Sequence, residues 1–152
     1  MGRILCATRG GQASYRNQDA VITLAQERND HIVFLYVVDT DFLGFTERAV
    51  RPDVVATELE RMGEFLLAMA CERAAKRGVE ASYCIRHGKL ITALKEAAVE
   101  QKATLVALGR PGGDESRFQL ASLEKLTAEI TEETGVQTRI VPAITDAEGN
   151  QP

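Results

Sequence analysis

The chain has 152 residues, 45% hydrophobic and 26% charged, with 18 Lys and Arg against 22 Asp and Glu and a formal net charge of −4. That is one domain's worth of chain with a globular composition. No apolar run approaches the ~20 residues of a membrane span, and the acidic balance offers no global basic footprint for nucleic acid. The run from Met1 to Ala7 is too short for a signal-peptide core. Cys6, Cys71 and Cys84 are widely spaced among apolar neighbours, form no Cys-x-x-Cys pair, and lie with only two histidines, His31 and His87. A disulfide framework or zinc site is not expected, and the cytoplasm is the setting that suits these thiols.

Short strand-like runs alternate with longer helical ones. Ile4 to Thr8 is a compact apolar run stopped by Arg9-Gly10-Gly11, the first strand. Asn17 to Arg28 has Ala20, Val21, Leu24 and Ala25 on one helical face, with Asn29-Asp30 as its stop. Ile32 to Val38 is apolar at every position, as a strand covered on both faces reads. Asp39 to Pro52 follows as a long irregular stretch holding Phe42, Leu43 and Phe45. Such a length inside a compact domain points to function or self-packing.

Pro52-Asp53 opens the longest helix, which runs to about Arg77. Val55, Leu59, Met62, Leu66 and Met69 recur at helical spacing, and Gly78 stands where a helix-ending glycine belongs. Val79 to Arg86 alternates, as an edge strand does. Leu90 to Lys102 predicts a third helix with Ile91, Leu94, Ala97 and Ala98 inward, and Ala103 to Leu108 a fourth strand. A loop from Gly109 to about Gln119 leads to a helix over Leu120 to Thr134, built on Leu123, Leu126 and Ile130 and closed by Gly135. Val136 to Val141 is the fifth strand, and the polar residues from Pro142 onward read as a frayed tail.

This β-α-β-α-β-α-β-α-β order predicts a mostly parallel sheet with helices on both faces and right-handed crossovers. Ligands in such sheets bind beyond the strands' carboxyl ends, where the strand order reverses. If the chain winds out through strands 1, 2 and 3 and returns for 4 and 5, the reversal falls between strands 1 and 4. Both glycine-rich loops follow those two strands.

The loop after strand 4 holds Gly109, Gly112 and Gly113 before a helix, an arrangement that can present backbone N–H groups to an anion or serve simply as a turn. In the loop after strand 1, Arg9 and Arg16 suit phosphate or carboxylate, or pair with Asp39, Asp41, Asp114 or Glu115. Gly88-Lys89 is not a P-loop, because Tyr83 stands where the first glycine is needed and Leu90 replaces Ser or Thr. His87 reads as a loop residue at a helix entry, and His31 as structural. No nucleophile elbow, His-Glu-x-x-His pair or dinucleotide fingerprint occurs, so no catalytic or metal-ligating residue is assigned. Cys6, inside strand 1, reads as an inert core thiol.

Over residues 3–142 the chain resembles the universal stress protein family. The likeness runs through Ile4-Leu5-Cys6-Ala7-Thr8-Arg9-Gly10-Gly11, Tyr36-Val37-Val38-Asp39 and Arg86-His87-Gly88. It continues through Ala103-Thr104-Leu105-Val106-Ala107-Leu108-Gly109-Arg110-Pro111-Gly112 and Leu120-Ala121-Ser122. The resemblance implies a single three-layer α/β/α domain of Rossmann-like, adenine nucleotide alpha hydrolase-like class, with an open five-stranded parallel sheet ordered 3-2-1-4-5. It also implies a cytoplasmic homodimer paired through the fifth strands, with no nucleic-acid or membrane partner.

In the family's nucleotide-binding branch, Gly-x2-Gly-x9-Gly-(Ser/Thr) follows strand 4. Gly109 and Gly112 match, whereas Ala121-Ser122 stands at the third glycine after eight intervening residues. Alanine in a left-handed slot there costs about 1–2 kcal/mol, and in a helical slot nothing. Arg9, followed by Gly10-Gly11, stands where the family has an acidic residue in the first loop, and Asp114 and Glu115 lie in the phosphate loop, where they would repel a triphosphate. The site residues implied are Thr8, Arg9, Gly10, Val38, Gly109, Gly112, Gly113, Ala121 and Ser122, for ATP, another adenine nucleotide or a small anion. The functions in view are a nucleotide-responsive stress or signalling module and a ligand-free interaction module presenting Phe42, Leu43 and Phe45. A weak ATPase or nucleotide transferase rests on fold analogy alone.

Overall fold

A computed structural model describes residues 2–8, 12–38, 52–109 and 116–141. The elements are β1 (Arg3–Ala7), α1 (Gln12–Arg28), β2 (His31–Val38), α2 (Pro52–Lys76), β3 (Ala81–His87), α3 (Leu90–Glu100), β4 (Leu105–Gly109), α4 (Ser116–Thr134) and β5 (Gln137–Val141). The strands form one sheet in the order β3-β2-β1-β4-β5, every pair parallel. The parallel pairing is what the element order predicts, and the strand order is the one the resemblance implies. The 39–51 stretch with Phe42, Leu43 and Phe45, and the tail from Pro142, lie outside the described residues.

Parallel strands need a crossover between each pair, and the crossovers bury both faces of the central strands. In β2, Ile32 and Phe34 pack on one face with α1 and α2, while Val33 and Leu35 pack on the other with α3 and α4. All four are fully or almost fully buried, which is why this run shows no polar alternation. β3 has one neighbour, and its half-exposed residues with an exposed Tyr83 mark it as the edge the alternation predicts.

Helix ends follow the signals read from sequence. Gly78 and Gly135 take φ of 77° and 76°, and Asn29 takes 56°, a left-handed conformation that glycine and asparagine adopt at least cost. The inward line of α2 differs from the expected one. It is Gly63, Leu67, Ala70 and Ala74, one residue over from Met62, Leu66 and Met69, and Met62 is exposed. Small residues let this helix lie close to the sheet. A Cβ on Gly63 would stand 2.4 Å from the Tyr36 ring, so the ring occupies the space a larger side chain would need. In α1, Ile22 joins Val21 and Ala25 in the core, with Ala20 and Leu24 at its margin. α3 and α4 use Leu94, Ala97, Ala98 and Ile130 as expected, and Lys95 fastens them by bonds of 2.5 Å to Glu129 and Glu133.

Two helices begin earlier than the sequence suggested. α1 starts at Gln12, immediately past Gly11, and so carries Arg16 as an exposed helix residue where a loop position was expected. Its first turns gain a tertiary anchor that periodicity does not show, the Arg73 guanidinium lying 5.0 Å from the centre of the Tyr15 ring. α4 starts at Ser116, and nothing in Ser-Arg-Phe-Gln-Leu opposes a helix.

Candidate ligand site at the carboxyl ends of β1 and β4

Because all five strands run the same way, their carboxyl ends and the N-termini of the returning helices gather at one end of the sheet. The order reverses between β1 and β4, both of which pair with each other. Thr8 follows β1 directly and is held down by its N–H, which donates to the Leu35 carbonyl at 2.8 Å. Extending the register Ile4↔Leu105 brings Thr8 level with Gly109. Val38 ends β2, buried, with its carbonyl accepting from the Gly88 N–H at 3.0 Å. Thr8, Val38 and Gly109 are therefore gathered at one end, as the sequence reading required.

Gly109 is the last residue of β4, paired with Val141, and not the first of a loop. A Cβ there would lie 2.1 Å from Nδ2 and 2.9 Å from Cγ of Asn17. The first glycine of the motif thus serves packing: the Asn17 side chain of α1 rests against its bare Cα. Ala121 and Ser122 belong to α4, five and six residues beyond its start. Alanine suits a helical position, so the departure from glycine carries no backbone penalty. The Ser122 N–H, this far inside a helix, is engaged by the carbonyl four residues back and is not among the donors a helix N-terminus offers. Arg9, Gly10, Gly112 and Gly113, with Asp114 and Glu115, lie outside the described residues.

Beneath Thr8 runs a line of polar side chains that sequence reading did not single out. Gln18 Nε2 donates to Thr8 Oγ1 at 2.6 Å, and both residues are buried, at 2% and 6% exposure. Arg73 of α2 donates from Nη1 to Gln18 Oε1 at 3.2 Å and from Nη2 to Asp19 Oδ1 at 2.5 Å. The signal was present. Gln18 stands three, four and seven residues before Val21, Ile22 and Ala25, a polar side chain on the apolar stripe of its own helix.

Of the other groups, His87 lies at this same end of the sheet, paired with Val38, and His31 and Cys6 do not. His31 opens β2 at the far end of the sheet, 2.9 Å from Ser82 Oγ. His87 ends β3 and reaches Glu60 Oε1 at 3.4 Å. Cys6 is fully enclosed, and burial pushes its thiol up to about 12, far from a reactive thiolate at neutral pH. Among the described residues no group of His, Cys, Asp and Glu side chains is placed to hold a metal ion. No described helix is long and apolar enough to cross a membrane.

The family model described as "Universal stress protein family" matches residues 1–129, from the start of the chain into α4. The chain belongs to the universal stress protein family. Solved structures agree on the fold. A universal stress protein family member from Burkholderia pseudomallei superposes with a TM-score of 0.70 at 22% identity, covering 93% of this chain and 96% of that one. A universal stress protein in complex with cAMP gives 0.63 at 21% identity, over 92% and 96% of the two chains. A family protein from Arabidopsis thaliana with AMP bound gives 0.64 at 12% identity, over 97% and 95%. The search of curated proteins returned no match.

The contact between Gly109 and Asn17 makes a two-part prediction. Gly109→Ala should lower unfolding stability by about 1–3 kcal/mol, the usual cost of overpacking. In an Asn17→Ala background the same change should cost clearly less, as read from urea denaturation of the four variants. Equal costs in both backgrounds would show that Asn17 is not the obstacle.

Proposed function

We propose that this universal stress protein is a non-catalytic, cytoplasmic stress-response or signalling module that binds an adenine nucleotide in the crevice above β1 and β4. The observation carrying this reading is the convergence of Thr8, Val38 and Gly109 at the end of the sheet where strand order reverses, with a glycine-rich segment following Thr8 and another following Gly109 in sequence. The descriptions of two relatives, one in complex with cAMP and one with AMP bound, support the ligand class. In this reading Thr8 and Val38 line the floor, and Arg9 and Gly10 are the first loop's ligand residues. Gly112, Gly113 and the start of α4 are the candidates to receive its anionic part, with Gly109 at the floor and Ala121 and Ser122 further along α4. The positive ends of α1 and α4 face this end of the sheet, and neither helix has an acidic residue in its first turn to oppose an anion.

A short ligand suits the site better than ATP. Asp114 and Glu115 follow Gly112-Gly113 and repel extra phosphates, and Arg9 supplies one compensating cation. AMP or a cyclic monophosphate carries less charge to oppose.

A second reading keeps the fold without the ligand and makes the protein an interaction module. It is favoured by Val54, Met62 and Phe65, three large apolar side chains exposed on α2 at 48%, 56% and 65%. In both readings two copies pair through β5, the edge strand beyond β4.

Thermal unfolding separates the two. AMP, cAMP or ATP at about 100 times its Kd adds about 2.7 kcal/mol to the stability of a folded state that binds it. The nucleotide reading predicts an upward shift in Tm with AMP or cAMP and a smaller one with ATP. No shift with any of them at millimolar concentration favours the interaction module. Sedimentation of the same samples should show a dimer at tens of micromolar, and a monomer would count against β5 pairing.

A further inference from the structure

β3 is an edge strand, and two hydrogen bonds fix which way its backbone groups point. The Ile32 N–H donates to the Glu80 carbonyl and the Gly88 N–H to the Val38 carbonyl, each at 3.0 Å, so the even-numbered residues face β2. Parallel pairing then turns the N–H and C=O groups of Ala81, Tyr83, Ile85 and His87 away from the sheet. No other described strand pairs with that edge. Free edges are commonly blocked by proline, lysine or a bulge. β3 reads Ala-Ser-Tyr-Cys-Ile-Arg-His in unbroken register with β2 and has none of these.

The side chains select a second copy of this chain as the occupant. In an antiparallel pair related by a two-fold axis, the residue on the axis sets every opposing pair. With Tyr83 on the axis, Tyr83 meets its own mate, Ala81 meets Ile85, Ser82 meets Cys84 and Glu80 meets Arg86. These pairs complement one another in size and charge. Tyr83, 47% exposed, gains an aromatic neighbour. The Glu80 side chain is 85% exposed, 3.9 Å from His31 Nδ1. Arg86 spends one N–H on Glu100 and one on the Ile85 carbonyl, and a guanidinium has more to give. An axis on Ser82, Cys84 or Ile85 sets Glu80 against Cys84, Gly88 or Leu90 instead. Beside the edge on the α2 face is a groove of about 510 Å³, where Cys71, Ala75 and Ala81 are too small to obstruct a second strand.

We propose that two copies of this chain pair antiparallel through β3, with Tyr83 on the two-fold axis, and so join their sheets. β3 and β5 are opposite edges, so this seam is distinct from β5 pairing and needs no nucleotide. Where both seams operate, copies join edge to edge without closing. The β3 seam is short, so it fills at on the order of hundreds of micromolar, above the concentration at which the β5 dimer forms.

The pairing of Ser82 with Cys84 supplies the test. Opposed residues that share no backbone hydrogen bonds have Cα atoms about 4.5 Å apart, within disulfide reach. Ser82→Cys, oxidised with copper phenanthroline at high protein concentration, should run as a covalent dimer on non-reducing gels. Adding Cys84→Ser should lower that yield about tenfold or more. In sedimentation, Glu80→Arg, at an exposed position, should remove the growth in mass at high concentration, and Glu80→Arg with Arg86→Glu should restore it. A folded Ser82→Cys protein without crosslink, a crosslink indifferent to Cys84→Ser, or growth indifferent to Glu80→Arg would each overturn the proposal. The first of these would leave the edge to a strand of a different protein. A chain that is monomeric at tens of micromolar yet crosslinks through Ser82→Cys keeps this seam and removes β5 pairing.

Discussion

Parallelism is the constraint from which the rest of the structure follows. Each strand of the sheet must be returned by a helix before the next can begin, so β1, β2 and β4 are covered on both sides. Five carboxyl ends and the N-termini of four helices are thereby collected at one end. The same winding reverses direction once, between β1 and β4, and helices on opposite faces separate there. In open parallel sheets a crevice forms at such a point as a product of chain topology, before any particular side chain is chosen. Side chains then decide what it holds.

In this protein the first of those choices is a polar line driven into an apolar layer. The layer between the sheet and α1 and α2 is otherwise apolar, built from Ile4, Cys6, Val21, Ile22, Phe34 and Leu67. Into it Gln18 brings an amide that would be costly without partners. Thr8 supplies one partner and Arg73 the other, so a buried polar group becomes a fastener between β1, α1 and α2. The neighbouring contact of Asn17 against Gly109 ties α1 to β4 in the same turn of helix. Four elements meet at the β1 and β4 ends, and a ligand bound above them would rest on a floor with little freedom to rearrange.

Most of the fold was legible in the residues, because full burial leaves an unambiguous imprint. Ile32 to Val38 has no polar position, Gly78 and Gly135 end their helices, and Tyr83 keeps β3 at the edge. Three features were not legible, each because a distant partner decided it. The start of α1 at Gln12 is supported by Arg73 lying over Tyr15, 58 residues away. The inward line of α2 uses Gly63, Ala70 and Ala74, whose small size matters only against Tyr36 and the sheet. Gln18 shows in sequence only as a polar residue on an apolar stripe, and its partners Thr8 and Arg73 are set by the tertiary fold. Thr8, Val38 and Gly109 lie at one end of the sheet, where the parallel element order puts them. The role of Gly109 was hidden, since a motif glycine reads as a ligand contact and here it makes room for Asn17.

The central claim is that an adenine nucleotide rests on the end of the sheet where β1 and β4 part. Backbone amide shifts recorded by NMR during titration with AMP test it most directly, because they locate binding as well as detect it. The account predicts the largest changes at Thr8, Val38, Gly109 and the first turn of α4, with little change at His31, Gly78 or Glu80 at the opposite end. Changes centred on the His31 end, or on the Val54–Phe65 side of α2 with Thr8 and Gly109 unmoved, would contradict it.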